Sequence, residues 1–262
     1  MRKIESKETR KKNRRRNILL NCAMIICAAV AVVSAGMLIA SYLEYKQGDA
    51  LMEGIAQYAG FTGEDTEGQE GEAAALTVDF DALLAINPDF VGWLYSEGTV
   101  INYPVVQGED NDYYLTHVFD GQEHKYGSIF LDKNTQADFT DTNTLIHGHR
   151  MNSGAMFGTL PEYAKQEYFE QHKVLMLYTP SKNYRLEVFA AYEVPANTQS
   201  VPLNFSDMAE YQEYLDAAME KSLIRSDVSV STEDQIVTLS TCTKNGGDDT
   251  RFVVMARLVA EA

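Results

Sequence analysis

The sequence predicts a mainly β domain, a barrel or a sandwich, behind one N-terminal membrane-spanning helix. Short segments rich in β-branched and aromatic residues recur from residue 90 to the C-terminus, separated by clusters of Gly, Asp and Asn. Near the other end, residues 18–42 contain no charged side chain. That run exceeds the roughly 20 apolar residues that a membrane-spanning helix needs.

Charge around this run predicts its orientation. Residues 1–16 carry nine Lys and Arg against two Glu, a local +7 in a chain of net charge −16, which leaves −23 on the remainder. Positive charge holds that end in the cytoplasm, so we predict a cytoplasmic basic tail at 1–17, a single-pass signal anchor at 18–42 and an extracytoplasmic body. An uncleaved anchor is favoured over a cleaved signal, whose apolar region spans about 7–15 residues. The acidic body argues against nucleic-acid binding, which needs clustered cations.

The segment between anchor and body is predicted to be a helical extension and a linker, residues 43–77. A helix is expected to continue to about residue 57, and residues 62–73 are Gly- and acid-rich with almost nothing to bury. The body, residues 78–262, then begins with a short helix. Asp79 is the expected N-cap of that helix, and Asn87-Pro88 its end.

The strands of the body follow in order, interrupted by one long helix. Residues 206–223 place apolar side chains at helical spacing, which predicts an amphipathic helix inserted between strands and packed on them. The predicted strands are 99–106, 128–131, 144–149, 174–178, 184–194, 235–242 and 252–259.

Cysteine usage points to one residue. Cys22 and Cys27 lie within the apolar run, which leaves Cys242 as the single cysteine of the exported body, without a partner for an intramolecular disulfide there. Such a thiol is either reactive or buried and inert. Cys242 ends a predicted strand, and Arg251 opens the next. A hairpin would bring the guanidinium close to the thiol, where it could stabilise a thiolate and an oxyanion.

Two histidines are candidate partners of this thiol. His147 and His149 alternate in a predicted strand, so both lie on one face and spacing cannot choose between them. Histidines at this spacing also suit zinc, but a third ligand with sensible spacing is missing, and we predict no metal and no cofactor.

Ordered motifs resemble the sortase family, and class B in particular. TLSTC at 238–242, followed by TRFVV from Thr250, resembles the active-site segment of these enzymes. The other segments that resemble class B sortases, in the same order, are INYPVVQ at 101–107, DNDYYLTH at 110–117, GSIFLD at 127–132 and NTLIHGHRMNSGAMFGTL at 143–160. The resemblance covers roughly residues 78–260 and implies a sortase-type eight-stranded β-barrel with flanking helices.

The resemblance also implies the site. Its nucleophile corresponds to Cys242, its arginine to Arg251 and its histidine to His149. The chain departs from the family at His147, where the family more often has tyrosine, so His147 is expected to be a neighbour of the site. The residues expected to bind substrate are Asn111, Ser240 and Thr241.

The implied reaction is transpeptidation without calcium or another cofactor. The thiol would cleave a C-terminal sorting motif of secreted proteins after Thr, and a cell-wall amine would resolve the thioacyl-enzyme. Alternatives are a cysteine hydrolase, a non-catalytic peptide-binding module of the same fold, and a pilin-polymerising enzyme, for which no lid segment is evident.

Overall fold

The structure, a computed structural model, describes residues 7–62, 75–196, 200–242 and 250–261. The chain divides into two compact units, one ending at Gln47 and the other beginning at Gly48. The predicted linker at 62–73 lies outside the described residues, except for its first residue, which ends a strand.

One long helix, α1 (Lys7–Ala56), covers the whole apolar run, and the predicted helical continuation to about residue 57 is confirmed. The apolar side chains of residues 18–43 are exposed along it. It is the one helix among the described residues that is long and apolar enough to cross a membrane.

The second unit is mainly β, with short helices between strands. Its strands are β1 (Ala59–Thr62), β2 (Ala75–Val78), β3 (Phe90–Tyr95), β4 (Asn102–Val106), β5 (Ile129–Leu131), β6 (Asn143–His147), β7 (Val174–Tyr178), β8 (Asn183–Pro195), β9 (Ile236–Cys242) and β10 (Thr250–Ala260). Its helices are α2 (Phe80–Ile86), α3 (Tyr113–Thr116), the 3-10 helix η1 (Leu160–Ala164), α4 (Gln166–Gln171) and α5 (Met208–Lys221).

Strands β3 to β10 close into an eight-stranded barrel in the order β10-β8-β7-β3-β4-β5-β6-β9, and β1 and β2 form a separate two-stranded sheet. The predicted barrel is therefore confirmed. Two neighbouring pairs, β4–β5 and β6–β9, are parallel, and the other pairs are antiparallel. Parallel strands cannot be joined by a two-residue hairpin, and long connections, residues 107–128 and 148–235, separate the two strands of each pair.

Three predicted strand ends were wrong by two or three residues, and three strands, β1, β2 and β3, were missed. The strand predicted to begin at residue 252 begins at Thr250. The strand predicted to begin at residue 99 begins at Asn102, and the strand predicted to reach His149 ends at His147. Strand β3 was missed because its sequence, FVGWLY, contains a glycine and lacks clean alternation. Gly92 is required there, since a Cβ atom would lie 2.8 Å from the Tyr178 carbonyl oxygen on β7.

Both predicted helices of the body form, and side-chain caps fix their starts. Asp79 accepts a hydrogen bond from the Ala82 N–H at the start of α2, and Asp207 accepts one from the Glu210 N–H at the start of α5. Helix α5 packs on β8, as expected, by burying one face. The buried side chains of that face are Tyr211, Leu215 and Ala218.

Candidate active site

A groove of about 510 Å³ lies at one end of the barrel. Its lining includes the polar side chains of Asn111, Asp132 and His147. The apolar residues of the lining are Leu115, Phe130, Leu145, Val194, Pro195, Ala196, Val201 and Leu203. A cleft lined by both apolar and hydrogen-bonding side chains suits an extended peptide.

The end of strand β9 borders this groove. Cys242 is the last residue of β9 and lies directly opposite Arg251 in the antiparallel β9–β10 ladder. Residues directly opposite each other in such a ladder have Cβ atoms about 4.5–5.5 Å apart. The predicted hairpin proximity of the two positions is therefore present in the backbone. The side chain of Cys242 lies outside the described residues, whereas half-buried Arg251 lines the groove.

His149 lies two residues beyond the end of β6 and also lines the groove. Its Nε2 atom is 2.6 Å from the carbonyl oxygen of Leu115, in α3. Because a carbonyl oxygen only accepts hydrogen bonds, Nε2 must be the protonated nitrogen, and Nδ1 is the acceptor of the neutral ring. This contact orients the imidazole and fixes its tautomer.

Gly148 ties the histidine segment to the cysteine strand. His147 is paired with Ser240 in the parallel β6–β9 ladder, and the Gly148 N–H donates to the Ser240 carbonyl oxygen at 3.1 Å. A Cβ atom at position 148 would lie 2.5 Å from Ile129 Cδ1 and 2.6 Å from a ring carbon of Phe157. Only glycine allows this close approach.

His147 points into a hydrogen-bond network centred on a buried carboxylate. Its Nε2 atom is 3.2 Å from Asp132 Oδ2, which also accepts a hydrogen bond from Asn111 Nδ2 at 2.8 Å. The other carboxylate oxygen accepts two hydrogen bonds at 2.9 Å from Asn134. Burial would raise the pKa of the Asp132 carboxyl, but the hydrogen bonds from His147 and Asn134 outweigh it and lower the pKa to about 2.

The three residues predicted to bind substrate all line the groove. Asn111 is anchored at both ends of its carboxamide, because its Oδ1 also accepts the Lys133 N–H at 2.8 Å. Ser240 and Thr241 are 5% and 2% exposed, so little of either side chain is open to a ligand. The hydroxyl of Thr241 has no hydrogen-bond partner within the described parts of the chain.

Sequence reasoning missed two contributors to the site. Leu115 acts through its backbone carbonyl, which leaves no trace in a residue pattern. Asp132 had a signal, since a carboxylate directly after the buried strand β5 is unusual, but its partners at 111 and 147 come from other elements. Within the described ranges, no group of three or more His, Cys, Asp or Glu side chains could hold a metal ion.

The fold and the groove together define a β-barrel cysteine enzyme. The barrel is closed, and its groove is bordered by the strand that ends in Cys242, by Arg251 and by His149, whose tautomer is fixed by a hydrogen bond. The chain belongs to the sortase family, because the Sortase domain model matches residues 95–259. Members of this family are cysteine transpeptidases, and this chain is one.

The relatives specify class B. Sortase B of Staphylococcus aureus is 33% identical over 241 residues, which cover 92% of this chain and 96% of that protein. A crystal structure from Bacillus anthracis, described as similar to sortase B, has a TM-score of 0.71 at 37% identity and covers 83% of this chain and 98% of that one. The S. aureus sortase B–substrate complex has a TM-score of 0.67 at 36% identity and covers 70% and 85%.

Proposed function

We propose that Cys242, His149 and Arg251 carry out the transpeptidation of a C-terminal sorting motif on secreted proteins. The observation that supports this most is the pairing of Cys242 with Arg251 at the groove, beside the segment that carries His149. A thiolate needs a nearby cation to lower its pKa, and a guanidinium at the opposed ladder position meets that need.

In the first half-reaction, the Cys242 thiolate attacks the carbonyl carbon of a Thr residue in the motif. The carbonyl electrons move to oxygen, where the Arg251 guanidinium and backbone N–H groups stabilise the oxyanion. The C–N bond then breaks as protonated His149 gives a proton to the leaving amine. Since Nε2–H is held by Leu115, Nδ1 is the nitrogen from which this proton leaves.

In the second half-reaction, an amine of a cell-wall precursor attacks the thioester. Neutral His149 accepts the proton of the attacking amine, the new amide forms, and the Cys242 thiolate leaves. The groove supports a peptide substrate because its polar lining residues can bond backbone groups while its apolar lining residues can contact side chains. The S. aureus relative has been solved as a substrate complex, which is consistent with this assignment.

We propose the predicted topology for the whole chain. Residues 1–17 would lie in the cytoplasm, 18–42 would span the membrane, and the body from residue 78 would act outside, joined by 43–77. The basic residues before the apolar run support this orientation. An enzyme outside the membrane would meet both exported proteins and wall precursors.

The test uses the full chain in detergent micelles and a quenched fluorescent X-X-X-Thr-X peptide library. We expect cleavage after Thr, lost in Cys242→Ala, and a ligated product in mass spectra when an oligoglycine or a diaminopimelate-type amine is added. Undiminished cleavage by Cys242→Ala would end the nucleophile assignment. Products of water attack alone, across all acceptors, would favour the hydrolase alternative.

A further inference from the structure

We propose that Asp132 and His147 form a positioning pair, which holds the Asn111 carboxamide in the lining of the groove and so governs the binding of substrate. The inference rests on the proposed function. It assigns a role to the residue at which the sequence departs from the family pattern.

Asp132 is placed where it can act as an anchor. It directly follows β5, is 8% exposed, and lies beside the end of β6, where Phe130 and His147 pair across the β5–β6 ladder. Its two oxygens receive four hydrogen bonds, two from Asn134 and one each from Asn111 and His147. A buried carboxylate with this many donors keeps its charge and its orientation.

This arrangement fixes the protons of both neighbours. A carboxylate only accepts, so Nε2 of His147 must carry a proton, and the nitrogen of the Asn111 amide must face Asp132. The amide oxygen then faces the Lys133 N–H, as the 2.8 Å contact shows. Asn111 is therefore held in one rotamer and one flip state, with one N–H and one oxygen lone pair left for a ligand.

His147 is the member of the pair that can be replaced without removing the negative charge of Asp132. Its ring also packs on Phe130, with ring centroids 5.1 Å apart, so an aromatic replacement preserves the packing while removing the hydrogen bond. Loss of the imidazole would leave Asp132 one donor short and the Asn111–Asp132 contact less constrained. The cost falls on substrate binding, because neither residue is at the reacting carbonyl.

The experiment measures kcat and KM with the full chain in detergent, using the library peptide that the unmodified enzyme cleaves best. We expect His147→Phe to raise KM about tenfold, as for the loss of one partly buried hydrogen bond, while kcat changes less than about threefold. We expect His147→Gln, whose amide can donate to Asp132, to recover most of that loss. His172→Phe, at a half-buried histidine outside the groove, is the matched control and should leave both constants unchanged.

A double-mutant cycle separates positioning from a general loss of structure. Asn111→Ala should raise KM by a similar factor, and adding His147→Phe to it should change KM by less than about twofold, because both act through one carboxamide. If His147→Phe unfolds the protein, Asp132→Asn tests the same pair and should raise KM likewise.

Two results would overturn the inference. One is a KM within twofold of the unmodified enzyme for His147→Phe or, if that variant unfolds, for Asp132→Asn. The other is a double variant whose KM increase equals the product of the increases caused by Asn111→Ala and His147→Phe alone. Cys242→Ala, measured in parallel, distinguishes a failure of this inference from a failure of the proposed function. If cleavage requires Cys242, either result removes only the positioning role. Cleavage without Cys242 would remove the proposed function as well.

Discussion

The N–H of Gly148 donates to the carbonyl oxygen of Ser240 at 3.1 Å, and this bond joins the histidine segment to the strand that ends in Cys242. The approach is possible because residue 148 has no side chain. Ile129 and the ring of Phe157 occupy the space that a Cβ atom would need. The spacing between the proposed base and nucleophile thus depends on a residue that does no chemistry.

Gly148→Ala should damage both stability and activity. The new methyl group forces the buried Phe157 ring or the strand to move, which typically costs about 1–3 kcal/mol. We expect a lower urea midpoint and a fall in kcat of at least tenfold, measured on the same preparation.

Gly154→Ala provides a comparison, since a Cβ there would meet nothing closer than 3.9 Å. Alanine at position 154 would also lose stability, because the backbone there has a positive φ of 88°. It should not change the distance between His149 and the strand that carries Ser240. Equal kcat values for the two variants would contradict the proposed spacing role.

Replacing the two groove histidines should give different kinetic defects. His149→Ala removes the proposed acid and base, so kcat is expected to fall by about 10²–10⁴-fold. His147→Ala, which loses the contact with Asp132 and the ring packing on Phe130, should mainly raise KM. Steady-state kinetics with one peptide distinguish the two. A larger kcat defect in His147→Ala would show that the proton-transfer role belongs to His147.

Arg251 should tolerate neither alanine nor lysine. The guanidinium has a fixed planar set of donors, and a lysine keeps the charge but not that geometry. We expect Arg251→Ala to lower kcat about 10²–10³-fold, as for loss of an oxyanion donor, and Arg251→Lys to recover only part of it. Arg185→Ala, on β8 and outside the groove, is the control. Full activity of Arg251→Lys would reduce the role of Arg251 to that of a charge.

Asp132 should contribute to stability in a defined pH window. Its folded-state pKa is about 2, below the unfolded value near 3.9, so its contribution is present above about pH 5 and is lost as the pH falls toward 2. The difference amounts to about 2 kcal/mol. Urea unfolding at pH 7 and pH 3 should detect about 1 kcal/mol of it, because pH 3 lies between the two pKa values, and Asp132→Asn should flatten that part of the profile. Asp216→Asn, on the exposed face of α5, should follow the unmodified protein at both pH values.

Fragments that start at Gly48 should be more stable than fragments that start at residue 78. Ala59 and Leu76, in the β1–β2 sheet, are 8% and 5% exposed and belong to a core cluster with Leu83 and Trp93. Removing both exposes apolar surface on the barrel and is expected to cost about 2–4 kcal/mol. Thermal unfolding of the two fragments tests this. Identical unfolding midpoints would show that residues 48–77 do not stabilise the barrel and that the folded domain begins at residue 78.

Most strands could be predicted because their signals are local, whereas the choice of a barrel over a sandwich came from the family resemblance. Strands β7 and β8 and helix α5 follow from periodicity and caps within a dozen residues each. The proposed nucleophile was also accessible, since Cys242 ends a strand and Arg251 begins the next, and a hairpin connects them.

The choice between His147 and His149 was not accessible from alternation. That argument assumed one strand through both residues, whereas β6 ends at His147 and the next residues turn toward Ser240. The ring of His149 is then oriented by a backbone carbonyl 34 residues away. The resemblance selected His149 from motif order, which contains tertiary information that spacing lacks. The Asp132 network was inaccessible for the same reason, because its members come from three separate segments.

The parallel pairing of β6 with β9 has a consequence for how the enzyme becomes active. Asn143 on β6 accepts a buried hydrogen bond from Thr238 on β9, 95 residues further along the chain. Closing so long a loop is entropically slow and is expected late in folding. The strand that ends in Cys242 therefore meets the histidine segment only when the barrel closes. A chain that has not yet closed the barrel would have a thiol but no acyl-transfer activity, so catalysis itself would report that folding is complete.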